Sequence, residues 1–279
     1  MCLSSRALFA IIPLLSLTAS AAADARTLLP HRAVYDLALA DTNDESDIQQ
    51  LTGRWVFEFS GTSCEGYTLQ SRIVMRFEMT EGTSVIDQRV MSFEDAEGDT
   101  FRFVTRSFID QELENEVRGT ARREPSGTLI EYQRPERKKV SLAPVLFPTA
   151  QLRELLDKAE AGERFYESAI FDGTEYAEAP VLVSVVVGQP APVAESDPEK
   201  AVLGALASAE FRPVTAAYFD GKEAGEGEET SDYNVSFKLH ESGIQRDMVI
   251  RYRDYSMTAR LTNLALFEPD EECSVEDAR

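Results

Sequence analysis

The sequence predicts an all-β protein in which one large antiparallel sheet is closed or spiralled and is accompanied by a single α-helix. Three observations lead to this fold class. Apolar and polar residues alternate along most of the chain, which is typical of strands with one buried and one solvated face. Turn-forming residues divide these stretches into about twelve strands. One stretch only, beginning at Pro148, has apolar residues at helical spacing.

The N-terminal residues have the pattern of an export signal. A short segment with one basic residue precedes the apolar stretch Ala7–Leu17, which is too short to cross a bilayer as a helix. Cleavage is expected after Ala21, Ala23 or Ala25. We assign residues 1–23 to a signal peptide and residues 24–279 to a single domain. Because the rest of the chain has no apolar run long enough for a membrane span, the mature protein is expected to be exported and soluble.

Strand patterns follow the signal in close succession. In LLPHRAVYDLAL, Leu28–Leu39, a proline leads an extended segment into alternating apolar residues. In the next pattern, Trp55, Phe57 and Phe59 fall on one face of the strand. Further strands are predicted at Tyr67–Thr80, Ser84–Asp95, Thr100–Phe108, Glu112–Glu124 and Gly127–Arg134. Together they predict an antiparallel meander.

The predicted helix interrupts this series of strands. Pro148 opens it and Thr149 is the predicted N-cap, while Gly162 lies where a helix-terminating glycine is expected. The apolar stripe consists of Leu152, Leu155, Leu156 and Ala159. Since only one face is apolar, we expect the helix to cover or plug an open end of the sheet.

Strand patterns resume after the helix. Ala179–Gly188 is almost uniformly apolar, which predicts a strand buried on both faces. Two insertions follow, the Pro/Ala-rich segment Gln189–Glu210, with a short helix expected at Asp197-Pro198, and the acidic loop Asp220–Asp232. The remaining strands, Tyr233–Phe267, are expected to close the sheet, with a hairpin turn at the sequence HESG.

The chain is strongly acidic, with 28 basic and 49 acidic residues and a net charge of −21. This balance argues against binding nucleic acid or an anionic membrane surface through bulk electrostatics. It is typical of a solvated exported protein. We expect a monomer without a nucleic-acid partner.

Signal removal takes away Cys2 and leaves Cys64 and Cys273. Two cysteines in an exported protein favour one structural disulfide. The alternatives are a pair of free thiols or a metal site, although the spacing is not that of metal ligands.

No recognised catalytic motif is present in the sequence. The patterns G-x-S-x-G, H-E-x-x-H, G-x-x-x-x-G-K-[ST] and G-x-G-x-x-G are absent. His31 lies at the entry of the first strand and His240 at the end of a later one, so structural and hydrogen-bonding roles are favoured over ligand or catalytic roles. We therefore expect no catalytic residue, no metal site and no cofactor, and we expect that the protein is not an enzyme.

Several segments, taken in order, resemble the EipB family of cell-envelope integrity proteins. They are PHRAVYDLAL, GRWVFEF before SCEGY, VLFPTAQLRELLDKAEAGE, IFDG, VTAAYFD, FKLHESGIQRDMVIRYRDYSMTARLTNL and the terminal cysteine. The resemblance implies a periplasmic protein, a spiral-like, partly open β-barrel, and one disulfide between Cys64 and Cys273. It implies a role in maintaining the envelope without an established enzymatic reaction.

Three functions stay open at this point. The first is a non-enzymatic envelope-integrity factor that binds a periplasmic protein or an envelope component. The second is a barrel that holds a lipid or a lipoprotein acyl chain, which an unfilled interior would favour. The third is a hydrolase, for which the sequence offers no catalytic pattern.

Overall fold

The computed structural model describes residues 28–221 and 230–268. Within these residues it contains fifteen strands, one α-helix and two short 3-10 helices. The strands are β1 His31–Thr42, β2 Ile48–Thr62, β3 Gly66–Met79, β4 Gly82–Glu94, β5 Thr100–Ile109, β6 Glu112–Glu124, β7 Gly127–Arg134, β8 Lys138–Leu142, β9 Phe165–Ile170, β10 Val181–Val187, β11 Ala191–Pro192, β12 Glu210–Asp220, β13 Tyr233–His240, β14 Gln245–Tyr252 and β15 Tyr255–Leu266. The helix α1 is Pro148–Glu160, and the 3-10 helices are Lys200–Val202 and Gly204–Ser208.

All the strands belong to one antiparallel sheet. Its hydrogen-bonded order is β8-β7-β6-β5-β4-β3-β2-β1-β15-β14-β13-β12-β10-β9, with β11 beside β12. The two end strands of the described sheet, β8 and β9, are not paired with each other. Leu146, in the segment between β8 and α1, is bonded to the end of β9: its N–H donates to the Ala169 carbonyl at 2.9 Å and its carbonyl accepts from the Phe171 N–H at 3.0 Å. The predicted all-β, spiral-like and partly open barrel is confirmed.

Strand β1 lies in the middle of the sheet and joins its two halves. It pairs with β2 on one side and β15 on the other. Ala33, Tyr35 and Leu37 are buried, whereas Arg32 and Asp36 on the other face of the strand are exposed. The alternation read from LLPHRAVYDLAL therefore reflects a real central strand.

Close approach of the two backbone segments explains why Gly61 and Gly66 flank the β2–β3 turn. Gly61 has a φ of 114°, and a Cβ at this position would lie 2.1 Å from the Gly66 carbonyl oxygen. Only glycine fits this close approach without moving the turn. The turn carries Cys64 at its tip.

Two apolar cores lie inside the curved sheet. The larger joins strands from both halves to the buried face of α1, including Leu155, Leu156 and Ala159. The smaller lies under β5–β8 and consists of Phe101, Phe103, Val117, Ala121, Ile130, Tyr132, Val140, Leu142, Val145, Phe147 and Phe171. Phe101 stacks on Phe147 with 5.2 Å between ring centroids, so the smaller core fixes the chain just before α1.

The helix start differs from the sequence prediction. The N-cap is Phe147, Pro148 is the first helical residue, and Thr149 lies inside the first turn instead of capping it. The capping oxygens come from Glu94 on β4, which accepts from the N–H groups of Thr149 at 2.7 Å and Ala150 at 2.9 Å. A carboxylate favours this position because the helix dipole and the unpaired N–H groups both attract negative charge. The helix end is as predicted, with Gly162 at a φ of 78°.

The prediction that Ala179–Gly188 is buried on both faces is wrong. In β10, Val183, Val185 and Val187 are buried, but Leu182 and Val186 are 37% and 52% exposed. The strand lies between β9 and β12 in a sheet covered on its inner face only, so its apolar outer residues meet solvent.

The first insertion is described throughout, whereas the second can be compared with the structure only in part. The segment Gln189–Glu210 forms β11 and the two 3-10 helices, as the Asp197-Pro198 pattern suggested. Of the acidic loop Asp220–Asp232, residues 222–229 lie outside the described residues, as does the predicted signal peptide, residues 1–23. Across residues 28–221 and 230–268, none of the helices is long and apolar enough to span a bilayer.

Candidate functional site

The aromatic residues of β2 face the inside of the curved sheet, as their alternation predicts. Trp55 contacts Tyr35 with 5.1 Å between ring centroids, and Phe59 stacks on Tyr67 at 4.9 Å. Phe59 is 4% exposed, but Trp55 and Phe57 are only partly buried. These side chains therefore line the interior without filling it.

An apolar cavity of about 280 Å³ lies between β2, α1 and strands β10 and β12–β14. Its walls are formed by Trp55, Phe57, Phe59, Leu69, Pro148, Thr149, Gln151, Leu152, Leu155, Tyr166, Val185, Ala216, Tyr218, Tyr233, Val235, Phe237, Gln245, Met248 and Ile250. None of these side chains carries a formal charge. We call this space the interior cavity.

A smaller pocket of about 70 Å³ adjoins the interior cavity. The two spaces share wall residues that include Trp55, Leu152 and Met248. The smaller pocket, here called the narrow end, is lined in addition by His31 and Ser242. It therefore gives an otherwise apolar site a more polar end.

His31 lies at the narrow end and is only 4% exposed. Its Nδ1 is 2.7 Å from the Leu29 carbonyl oxygen, and its ring contacts Phe57 at 5.5 Å. Burial lowers the pKa of His31, while the hydrogen bond with Leu29 opposes the shift. The ring is therefore neutral near pH 7 and serves strand entry, as the sequence analysis favoured, but it also lines the pocket.

Tyrosines form the opposite wall of the interior cavity. Tyr218 on β12 and Tyr233 on β13 are cross-strand partners, with rings stacked 4.5 Å apart and 9° from parallel. Burial raises the pKa of Tyr218 to about 12 and raises the pKa of Tyr233 and Tyr166 as well. Because all three hydroxyls stay protonated, the cavity is uncharged at neutral pH.

Helix α1 forms one wall of the interior cavity. Leu152 and Leu155 face the cavity, whereas Glu94 holds the first turn to β4. Burial raises the pKa of Glu94, and the two backbone hydrogen bonds offset part of that shift. Ser168 on β9 hydrogen-bonds to Glu154 on the other side of the helix. The helix therefore lies over the open part of the sheet, as its single apolar stripe predicted.

A buried charge cluster, defined by Asp197, Glu199, His240 and Arg246, was missed by sequence reasoning. Arg246 is fully buried and donates from Nη1 to Asp197 at 2.9 Å and to Glu199 at 3.1 Å, and from Nε to the His240 Nε2 at 2.9 Å. His240 has the hydrogen-bonding role expected for it. Its neutral ring and its distance in sequence from the two carboxylates offer no motif for catalysis, so we regard the cluster as structural.

The predicted disulfide between Cys64 and Cys273 stays a prediction. Cys64 lies in the β2–β3 turn, where its N–H donates to the Thr62 hydroxyl at 3.3 Å. Cys273 lies outside the described residues. In the described part of the chain, no group of three or more His, Cys, Asp or Glu side chains is arranged to hold a metal ion.

Comparison with known proteins gives consistent matches over almost the whole chain. The family described as EipB-like matches residues 22–268. The cell envelope integrity protein EipB of Brucella abortus (strain 2308) is 43% identical over 251 residues, covering 90% of this chain and 88% of that protein.

A solved structure agrees with this match in fold as well as in sequence. The crystal structure of a beta-barrel-like protein of domain of unknown function DUF1849 from Brucella abortus has a TM-score of 0.81 and 42% identity, over 87% of this chain and 99% of that chain. The extent of the family match and the 43% identity assign this chain to the EipB-like family.

Proposed function

We propose that this protein supports cell-envelope integrity from the periplasm as a non-enzymatic binding protein. Three observations support the proposal. The relative from Brucella abortus is named a cell envelope integrity protein. The first residues have the pattern of an export signal, and the sequence has no recognised catalytic motif.

We further propose that the interior cavity holds the acyl chain of a lipid or lipoprotein. The observation that carries this is the chemistry of the walls, which are mostly aliphatic and aromatic, include the uncharged polar side chains of Thr149, Gln151 and Gln245, and contain no charged side chain. An ionised ligand would lose its hydration there without meeting an opposite charge, whereas a hydrocarbon chain would gain by leaving water. The volume of about 280 Å³ lies just below the usual range for ligand pockets.

A second candidate is a role through contact with a periplasmic protein partner. Phe165 and Val186 favour it, because they are cross-strand partners on the outer face and are 61% and 52% exposed. Such a pair is smaller than a typical interface. The cavity is therefore the better supported binding site.

The test is titration of the delipidated protein with a long-chain fatty acid and with a fluorescent acyl probe. Ala216 on β12 is buried and faces the cavity. Ala216→Phe should fill part of the cavity and weaken binding at least tenfold. Ala217→Phe, on the other face of the same strand, is the matched control and should bind as the wild type does. Equal binding by all three proteins, or no binding by the wild type, would refute the acyl-chain site.

A further inference from the structure

Basic residues are concentrated at one end of the sheet. Residues 118–139 carry seven basic and three acidic side chains, in a chain whose net charge is −21. Around the β7–β8 turn they line an open groove of about 780 Å³. We call it the basic groove, and its lining comprises Arg118, Glu131, Tyr132, Gln133, Arg134, Pro135, Glu136, Arg137, Lys138 and Lys139.

Ion pairs within the molecule already use some of these charges. Glu131 pairs with Lys139 at 2.5 Å and with Arg122 at 2.7 Å. Lys138 pairs with Glu178, and Glu136 accepts a hydrogen bond from the Tyr176 hydroxyl at 3.1 Å. The carboxylates of Glu131 and Glu178 are therefore already paired with basic side chains, whereas Glu136 accepts a hydrogen bond from a neutral hydroxyl and keeps its charge.

Three arginines of the basic groove are left without an ion pair among the described residues. Arg118, Arg134 and Arg137 are all exposed. They have no ion pair within the described part of the chain, even though acidic residues outnumber basic ones in the whole chain. Arg118 and Arg134 are direct cross-strand partners in β6 and β7. Like charges in that position repel each other and destabilise the strand pair. An external anion between the two guanidinium groups would remove this repulsion.

The shape and chemistry of the basic groove indicate the kind of anion. Guanidinium groups bind phosphate oxygens with two parallel hydrogen bonds, so clustered arginines favour phosphate groups. The groove is open and its arginines are solvated, so a single small anion would be held weakly. A surface that presents several phosphates at once can contact all three arginines together.

We propose that the basic groove docks this protein onto an anionic phospholipid surface, with Arg118, Arg134 and Arg137 contacting headgroup phosphates. The net charge of −21 opposes such binding in bulk. Charges more than about 8 Å from the surface are screened at physiological ionic strength, so the groove end can bind while the acidic remainder points away. The distribution of charge therefore determines the orientation of the docked protein, with the basic groove towards the membrane. This proposal rests on the groove alone and does not depend on the acyl-chain site.

The experiment is co-sedimentation with phosphatidylcholine vesicles, with and without phosphatidylglycerol. Arg118→Gln, Arg134→Gln and Arg137→Gln are combined in one variant. A matched variant carries Arg32→Gln, Arg253→Gln and Arg260→Gln, which are also exposed and lie on β1 and the β14–β15 hairpin. Both variants change the net charge equally. Thermal melting of each establishes that it is folded.

The wild type should sediment with the anionic vesicles only. Since each basic side chain near an anionic surface contributes roughly a fivefold change in affinity, the groove variant should lose roughly a hundredfold. The matched variant should stay within about twofold of the wild type, because its arginines lie outside the groove. The proposal is overturned if both variants lose binding equally, if the wild type does not bind, or if inorganic phosphate at constant ionic strength releases the protein.

Discussion

At the scale of single residues, Glu199 occupies the place where β14 and β15 separate. The paired register of these strands ends at Met248 and Ala259. Just beyond, the Glu199 carboxylate accepts from the Leu261 N–H at 2.6 Å and the Asp247 N–H at 3.1 Å. It therefore satisfies backbone donors that lack a strand partner. Burial raises the pKa of Glu199, and the hydrogen bonds from Leu261 and Arg246 offset part of that shift.

Replacing Glu199 with alanine should be strongly destabilising. The change leaves two buried N–H groups without acceptors and removes one of the two carboxylates that pair with Arg246. Breaking a buried pair in this way costs about 3–5 kcal/mol of unfolding free energy, which urea denaturation would measure. Glu195→Ala is the control, because Glu195 is 95% exposed and its removal should leave the denaturation midpoint unchanged. Equal midpoints for the two variants would contradict the structural role of Glu199.

His240 should make the stability of the protein pH-dependent. Burial and the neighbouring Arg246 charge lower the pKa of His240 from 6.5 to about 4. The unfolded chain takes up this proton at a higher pH than the folded chain does. The free energy of unfolding is therefore highest above about pH 6.5, where His240 is neutral in both states, and it falls as the pH is lowered towards 4. The maximum loss is about 3 kcal/mol.

Melting temperatures measured between pH 7 and pH 4 test this account. His240→Gln keeps an acceptor for Arg246 but does not titrate, so its melting temperature should fall less steeply with pH than that of the wild type. His31 is the second buried histidine, and its pKa is lowered in the same direction. The variant His31→Gln therefore measures how much of the pH dependence comes from His31. A wild-type slope retained in His240→Gln would show that another group is responsible.

At the scale of secondary structure, the sequence was most informative about alternation and least informative about contacts across the chain. The first strand, the helix and the closing hairpin were predicted because each has its own local pattern. The capping of α1 by Glu94 was not predictable, because the two are far apart in sequence and only the fold brings them together. The charge cluster around Arg246 was missed for the same reason. In β10, composition alone could not tell a doubly buried strand from one with an exposed apolar face.

The link between Glu94 and α1 predicts that losing this carboxylate loosens the helix. Glu94→Ala removes the acceptors for Thr149 and Ala150, which should cost about 1–2 kcal/mol, as the loss of an N-cap does. Hydrogen exchange should become faster in the first turn of α1. Glu97→Ala, an exposed residue in the turn after β4, is the control and should leave exchange unchanged. Unchanged exchange in Glu94→Ala would mean that the helix is held by its apolar face alone.

At the scale of the whole molecule, the predicted spiral is confirmed, but the sequence could not decide whether its interior is filled. Trp55, Phe57 and Phe59, which the alternation puts on one face of their strand, lie together on the inner face. Whether they meet the opposite wall depends on the curvature of the sheet, which alternation does not encode. The interior cavity is the consequence of that curvature together with the position of α1.

The predicted disulfide between Cys64 and Cys273 would tie the C-terminal tail to the β2–β3 turn. Replacing both cysteines with serine should preserve the fold but lower stability by about 2–5 kcal/mol, because the cross-link restricts the unfolded chain. A reducing agent should lower the melting temperature of the wild type and leave that of the double variant unchanged. Recovery of both cysteines as reduced thiols from wild-type cells by thiol trapping would rule the bridge out.

The central claim is that the interior cavity is a binding site for an acyl chain. Native mass spectrometry of the protein purified without detergent tests it most directly, because bound lipid is weighed together with the chain. The account predicts a population of the wild type that carries a lipid, and its loss in Ala216→Phe but not in Ala217→Phe. A wild-type protein that carries no lipid, or a lipid retained equally in Ala216→Phe, would contradict the claim.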